Sequence, residues 1–317
     1  MGIFSAFDEF QEKVDADPSH VAEARNRQAA FIDAIRSSED VLEIVKSGSL
    51  ERRTQLDPIH DVDLIAVFDG AAFPDWGNDG DSSEAALGVV HDLVRSTLAN
   101  PGGSHNELVR LAMPKNRAVK CFVDDPDADH PFTVDVMPAL RNDDGTLLIP
   151  SKRDRRWSTA DPEFLIAEVE SRDESWADFR PMVRVLKYWR RSCGTEVKSL
   201  VMETLALDYL PLGTNRPNAL RQFFVAAAYN VLEGVTDPAG YCGPIQPGLD
   251  LQALHDALSA AGDEATLAME AAGRNDEADA QHHWRNVFGT DFPAPAGTTG
   301  APAVVAPPIR DAPQGDC

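Results

Sequence analysis

The segment Asp61-Val62-Asp63-Leu64-Ile65-Ala66-Val67-Phe68 constrains this chain more than any other, because it sets two carboxylates at the mouth of a strand that must be buried. On extended backbone alternate side chains share a face, so Asp61 and Asp63 point one way while Val62 and Leu64 point into a core. Further along, Phe132-Thr133-Val134-Asp135-Val136 sets a third carboxylate in mid-strand between two valines, where an unpaired charge is costly to bury. Upstream of both strands, Gly48-Ser49 reads as a turn that opens a helix. Alone, each piece has an ordinary explanation: Asp-x-Asp as a solvated strand edge or cap, Gly-Ser as a plain turn. It is their succession along the chain that narrows the chemistry.

Three carboxylates converging from two strands can hold two Mg²⁺ ions, since hard cations take oxygen ligands and Mg²⁺ is usually held by carboxylates together with substrate phosphates. The Gly48-Ser49 turn offers backbone N–H groups and a hydroxyl to a triphosphate. Together these point to two-metal nucleotidyl transfer, in which a hydroxyl attacks an α-phosphorus and pyrophosphate leaves. Asp57 reads as turn chemistry with Pro58, and His60 as a structural neighbour rather than a ligand.

On these residues the chain resembles the DNA polymerase β-like nucleotidyltransferase superfamily. Within it, the chain is similar to the bacterial cGAS/DncV-like nucleotidyltransferases (CD-NTases), the signalling-nucleotide synthases of CBASS antiphage systems. The narrower likeness rests on PMVRVLKYWRRSCGTEVKSLVMETLAL, Pro181 to Leu207, with its Lys-x-Trp helix, and on WRNVFGTDFP, Trp284 to Pro293. It covers about residues 1–293. The resemblance implies an α+β fold: a polymerase β-like mixed sheet with a C-terminal helical bundle. It implies that Asp61 and Asp63 bridge both metal ions and that Asp135 completes the one nearer the nucleophile, with Mg²⁺ the expected ion and Mn²⁺ its alternative. Gly48 and Ser49 would then bind phosphate, and Arg52 and Thr54 complete a Gly-Ser-x-x-Arg-x-Thr pattern as nucleotide-binding candidates. Lys187, with Lys198 and Ser199 from the next helix start, would reach the triphosphate.

The implied activity is condensation of nucleoside triphosphates into a cyclic di- or trinucleotide. Two alternatives stand beside it: a transferase that makes linear oligonucleotides or modifies a protein or RNA, and an inactive nucleotide-binding regulatory module. All three carboxylates are present, which argues against the inactive module. Base choice, ring size and linkage depend on pocket side chains that sequence does not place.

Composition bounds the class. At 317 residues, 43% hydrophobic and 26% charged, the chain reads as a soluble globular protein. The start, MGIFSAFDEFQEK, is acidic and amphipathic, without the basic and apolar regions of a signal peptide. No apolar run approaches membrane-spanning length. Cys121, Cys193, Cys242 and Cys317 form no CxxC pair, which argues against a zinc site or disulfide framework. The expected location is the cytoplasm. A net charge of −23 argues against broad nucleic-acid binding, since phosphate backbones need a basic face. Residues 141–200 are nearly neutral, with 12 basic and 11 acidic side chains, while both flanks are strongly acidic. Within this stretch Arg180, Arg184, Lys187 and Arg191 recur at helical spacing opposite an apolar stripe of Met182, Val183, Leu186 and Trp189. A four-cation stripe on so acidic a chain repels itself unless an anion lies nearby.

The expected organisation has three parts: a catalytic core with a long N-terminal helix over 1–150, a helical domain over 151–293 that closes the nucleotide cleft, and a disordered tail over 294–317. The long helix spans 3–37, with Asp17-Pro18 as the place where it bends or breaks. Strands are expected at 62–68, 107–112, 117–123 and 132–137, with a helix over 84–99 between the first two. SKRDRRWSTA reads as a loop, followed by a helix from Asp161-Pro162 and a run of further helices at 175–192, 197–212, 218–233 and 250–272. Trp284, Phe288 and Phe292 read as core rather than as a base-stacking platform. The tail, rich in Pro, Gly and Ala, has too few large apolar groups to fold alone, and offers a regulatory or conjugating protein an accessible end.

Overall fold

Residues 2–98 and 108–295 are described by the computed structural model of the chain, which divides into two compact units. Among the described residues, one unit comprises 16–167 and 239–243, and the other 2–15, 168–238 and 244–295. The expected tail lies almost entirely outside the described residues.

The first unit is built on a mixed sheet. Its strands are β1 (Val41–Ser47), β2 (Asp61–Phe68), β3 (Leu111–Pro114), β4 (Val119–Phe122) and β5 (Thr133–Arg141), in the order β1-β2-β5-β4-β3. Only β2 and β5 run parallel; the other neighbours in that order are antiparallel. Alternation decides which face is which. Val62, Leu64, Ala66 and Phe68 of β2 join Val134 and Val136 of β5 and Val119 and Cys121 of β4 in one core. The helices α2 (Pro18–Ile35) and α4 (Ser82–Thr97) cover that core with Phe31, Ile35, Leu87, Val90 and Val94. The opposite face carries a smaller apolar cluster, Val45, Ile65, Val67, Ala139, Leu147 and Ile149, around the far ends of the strands. The near ends of β2 and β5 on this second face are left to polar side chains.

The stretch after Pro150 differs from its expected reading. SKRDRRWSTA is not loop: β6 (Leu147–Ser151) and β7 (Arg156–Ala160) form an antiparallel hairpin that continues the sheet from the end of β5. Its buried anchor is Trp157, whose indole N–H donates to Ser82 Oγ at 2.8 Å. The charged residues at the tip hide this alternation, because only one large apolar side chain in the second strand faces inward. The helix expected at Pro162 is α5 (Pro162–Ser175), where Asp161 Oδ1 accepts from the Phe164 N–H at 2.9 Å as a cap.

The second unit is helical: α1 (Ile3–Val14), α6 (Phe179–Trp189), α7 (Ser199–Tyr209), α8 (Arg216–Asn230), α9 (Leu251–Gly273) and α10 (Glu277–Phe288). The N-terminal helix breaks at Asp15–Asp17, with Asp17 capping α2 through Ser19 N. The division between units therefore does not follow chain order at residue 150: α1 packs with the C-terminal helices. The physical reason is aromatic. Phe7 meets Trp284 and Phe292 edge to face, both at 5.0 Å between ring centroids, and Phe10 lies 4.9 Å from Phe288. Trp284, Phe288 and Phe292 are core, as expected. Asn215, Asp250 and Asp276 cap α8, α9 and α10 with their side chains.

Among the described residues, no helix is long and apolar enough to cross a membrane.

Candidate active site

The parallel ladder between β2 and β5 pairs Asp63 with Asp135 and Asp61 with Thr133. Register partners share a face, and the other ladders extend the row: Ser47 pairs with Asp63, Lys120 with Asp135, and Met113 with Lys120. Neighbouring strands lie about 4.8 Å apart, so Asp63 and Asp135 stand side by side at hydrogen-bonding strand spacing. Asp61 lies one pleat before Asp63 on the same face. The three carboxylates that sequence pattern singles out thus meet on one patch.

Gly48 and Ser49 begin a five-residue helix, α3 (Gly48–Arg52), directly after β1. Gly48 has φ of 77°, in the left-handed region, and a Cβ there would lie 1.9 Å from Asp63 Oδ2. Only glycine allows the turn to press on that carboxylate. Arg53, also left-handed at φ 58°, ends the helix. The Thr54 N–H donates to Ser49 O at 2.9 Å, folding the segment back on itself. The Arg52 and Thr54 side chains are both buried. Arg52 is close enough to Asp63 to favour its charged form, and Thr54 supports the turn from inside. Asp57 Oδ1 pairs with His20 Nδ1 at 2.8 Å, and the His60 carbonyl accepts from the Thr133 N–H at 2.7 Å, fixing the start of β5. Both contacts lie within the sheet unit, and that of Asp57 is an ion pair with His20 rather than the turn contact with Pro58 that its sequence context suggests.

Crowding governs the electrostatics. Burial, then the charges of Asp61 and Asp135, push Asp63 well above the usual carboxylate range, against Arg52 and Lys120. Burial likewise pushes Asp135 up to about 6; Lys120 opposes this and Asp61 adds to it. Asp135 Oδ1 is buried and has no hydrogen-bond partner among the described residues. Such an orphaned acceptor among like charges is the donor chemistry of a cation site. Among the described residues no group of three His, Cys, Asp or Glu side chains is gathered so that it could hold a metal ion by itself. The carboxylates are spread along and across two strands, which suits an ion that keeps waters and completes its shell with substrate phosphate.

Sequence pattern missed Lys120. Its Nζ lies 3.7 Å from Asp135 Oδ2, and nothing in Val-Lys-Cys-Phe marks it out before the register is known.

Three of the four cations of the basic stripe, Arg180, Arg184 and Lys187, pair with carboxylates of their own unit. Arg180 pairs with Asp173 and Glu170, and Arg184 with Asp15. Arg191 lies over the Tyr188 ring at 4.9 Å. Lys187 does not face solvent: it is 2% exposed and bonds Glu203 Oε1 at 2.8 Å, with Glu203 1% exposed. Glu203, one turn after Ser199, thus holds the Lys187 ammonium inside the unit. Lys198 precedes α7, its backbone N–H donating to Gln246 Oε1 at 2.8 Å, and Ser199 opens that helix in a buried position. These three residues belong to the helical unit, whereas the carboxylates and Gly48-Ser49 belong to the sheet unit.

Comparison with known proteins bears on the fold and the family. A protein named "Probable cyclic nucleotide synthase" from Bacillus cereus (strain VD146) is 22% identical over 92% of this chain and 97% of its own length. The fold matches E. coli MS115-1 CdnC, solved with ATP, at a TM-score of 0.69 and 20% identity, covering 92% of this chain and 99% of that one. CdnC has also been solved in complex with HORMA-deltaN, matching at a TM-score of 0.67 and 19% identity over 92% of this chain and 98% of that one. Bradyrhizobium diazoefficiens CdnG, a CD-NTase solved with GTP, matches at 0.66 and 15% identity, over 90% and 95% of the two chains. Residues 1–173, which hold the whole carboxylate patch, match the Second Messenger Oligonucleotide or Dinucleotide Synthetase domain, and the chain belongs to that family.

Proposed function

We propose that this protein condenses nucleoside triphosphates into a cyclic di- or trinucleotide and releases pyrophosphate, with antiphage signalling as its setting. The observation that carries this reading is the register pair Asp63–Asp135 with Asp61 on the same face, set against Gly48. The resident cofactor is Mg²⁺, which when bound supplies acidification of the attacking hydroxyl and neutralisation of the triphosphate. Asp61 and Asp63 would hold the metal. Asp135 serves the nucleophile's side, where its unpartnered Oδ1 is an available ligand. Gly48 and Ser49 hold phosphate oxygens, and Arg52 steadies Asp63. Lys187, Lys198 and Ser199 remain triphosphate contacts on the resemblance, with Glu203 aligning Lys187. ATP is the first substrate to try, supported by the ATP and GTP bound in the structural relatives.

A regulatory protein partner is supported by the CdnC complex with HORMA-deltaN, and the tail of this chain, residues 294–317, is the segment we assign to it. The test of the activity is incubation of the purified protein with labelled triphosphates, singly and mixed, with Mg²⁺. Phosphatase-resistant cyclic products support the reading. Linear products alone would favour an oligonucleotide transferase, and absence of pyrophosphate release under all combinations would favour a binding module.

A further inference from the structure

Lys120 stands beside Asp135 on the neighbouring strand β4. Val119 and Cys121, on either side of it, are fully buried in the core under α2 and α4, so the pleat sends Lys120 to the carboxylate face. There it is the direct register partner of Asp135. Its Nζ lies 3.7 Å from Oδ2, with side-chain exposures of 18% for the lysine and 8% for the aspartate. That distance is too long for a firm hydrogen bond yet well within Coulomb range. The ammonium thus compensates Asp135 without capturing it, and Oδ1 stays unpartnered.

We propose that Lys120 is a positioning residue that stands in for the metal: its ammonium balances the three carboxylates of the metal-free protein and is displaced from Asp135 as a divalent cation binds. This rests on the metal-dependent reading above. A cation entering beside Asp135 meets the lysine charge, so a bare metal ion binds weakly. The anionic triphosphate restores the need for positive charge, so metal and nucleotide load together. Lys120 thereby makes metal occupancy depend on substrate.

The test compares full-length wild type, Lys120→Met, which keeps the aliphatic stem, and Lys120→Arg, which keeps the charge. Mn²⁺ is titrated into each with and without α,β-methylene ATP at pH 8.5, where proton competition for the carboxylates is reduced, and free Mn²⁺ is read by electron paramagnetic resonance. Removing one unit charge near a partly buried site should tighten binding of Mn²⁺ alone by about tenfold in Lys120→Met. The added nucleotide should then tighten Mn²⁺ binding less than in wild type, and melting of the metal-free variant should fall. Lys120→Arg should behave as wild type. A lysine with a merely structural role would leave Mn²⁺ affinity unchanged or weakened in a folded Lys120→Met, and that result overturns this proposal alone, as would Lys120→Arg behaving like Lys120→Met. Wild type that binds no Mn²⁺ with or without nucleotide would overturn the metal-dependent reading and this one with it.

Discussion

Gly48 and Asp63 fit together so closely that the smallest side chain on the first would overlap the carboxylate of the second, with a Cβ 1.9 Å from Oδ2. The same glycine holds a left-handed φ of 77°. Gly48→Ala therefore both strains the backbone and displaces the carboxylate. We expect a stability loss of about 1–3 kcal/mol from the strained backbone. Turnover should fall roughly 100-fold, the scale of an ångström's misplacement of a reacting group. Pyrophosphate release measured at saturating nucleotide checks this; turnover within threefold of wild type would show that the contact does not set the position of Asp63.

The crowded carboxylates predict a pH dependence of opposite sign to that of an ordinary salt-bridged acid. Asp135 titrates at about 6 in the folded protein, above its unfolded value, because burial outweighs Lys120. The folded state then binds more protons than the unfolded state between about pH 4 and 6, so stability is highest below the unfolded value and falls as pH rises through the folded one. In excess EDTA at pH 7, Asp135→Asn should be more stable than wild type by roughly 1–3 kcal/mol, with the difference vanishing near pH 4. Asp61→Asn with Asp63→Asn should likewise abolish product without unfolding the protein. Thermal melts at the two pH values decide it: a destabilised Asp135→Asn at pH 7 would mean that the Lys120 pair, not crowding, dominates.

How much of this was legible in the chain depends on whether a signal is local or tertiary. Strand alternation around Asp61, Asp63 and Asp135, and the glycine before Ser49, are local, and they suffice to find the carboxylate patch. Lys120 joins it only through the β4–β5 register, which no local pattern encodes. The hairpin over 147–160 was hidden because its charged tip outweighs one buried Trp157. On α6 the cation spacing is plain, but the acids that Arg184 and Lys187 meet, Asp15 and Glu203, lie on other helices or beyond them and reach the stripe only through packing. Charge spacing along one helix reveals a stripe; only packing reveals what the stripe faces.

The Lys187–Glu203 pair separates a structural lysine from a nucleotide contact. Both side chains are buried, so Lys187→Ala should cost about 3–5 kcal/mol by removing the buried cation that Glu203 accepts from. Replacing both, Lys187→Met with Glu203→Leu, removes charge and partner together and should recover most of that stability. Nucleotide affinity of the stable double variant then isolates the binding role: a loss of roughly 1.5–3 kcal/mol is expected where a charged hydrogen bond to the triphosphate is removed. Unchanged affinity by titration calorimetry would make the pair purely structural.

The aromatic cluster makes a prediction about which part of the protein the first helix supports. Phe7 and Phe10 come from the start of the chain, yet their ring partners, Trp284, Phe288 and Phe292, close the helical unit at its other end. Both phenylalanines are fully buried, so Phe7→Ala should cost about 3–5 kcal/mol, the range for emptying an aromatic site in a packed core. The loss should be local, because α1 contributes nothing to the core beneath the sheet, which is built from α2, α4 and the strands. Hydrogen exchange resolved by peptide should therefore quicken in α6, α8 and α10 while β2 and β5 keep their protection. Equal quickening in the strands would show that the first helix stabilises the sheet unit directly, and would overturn its assignment to the helices.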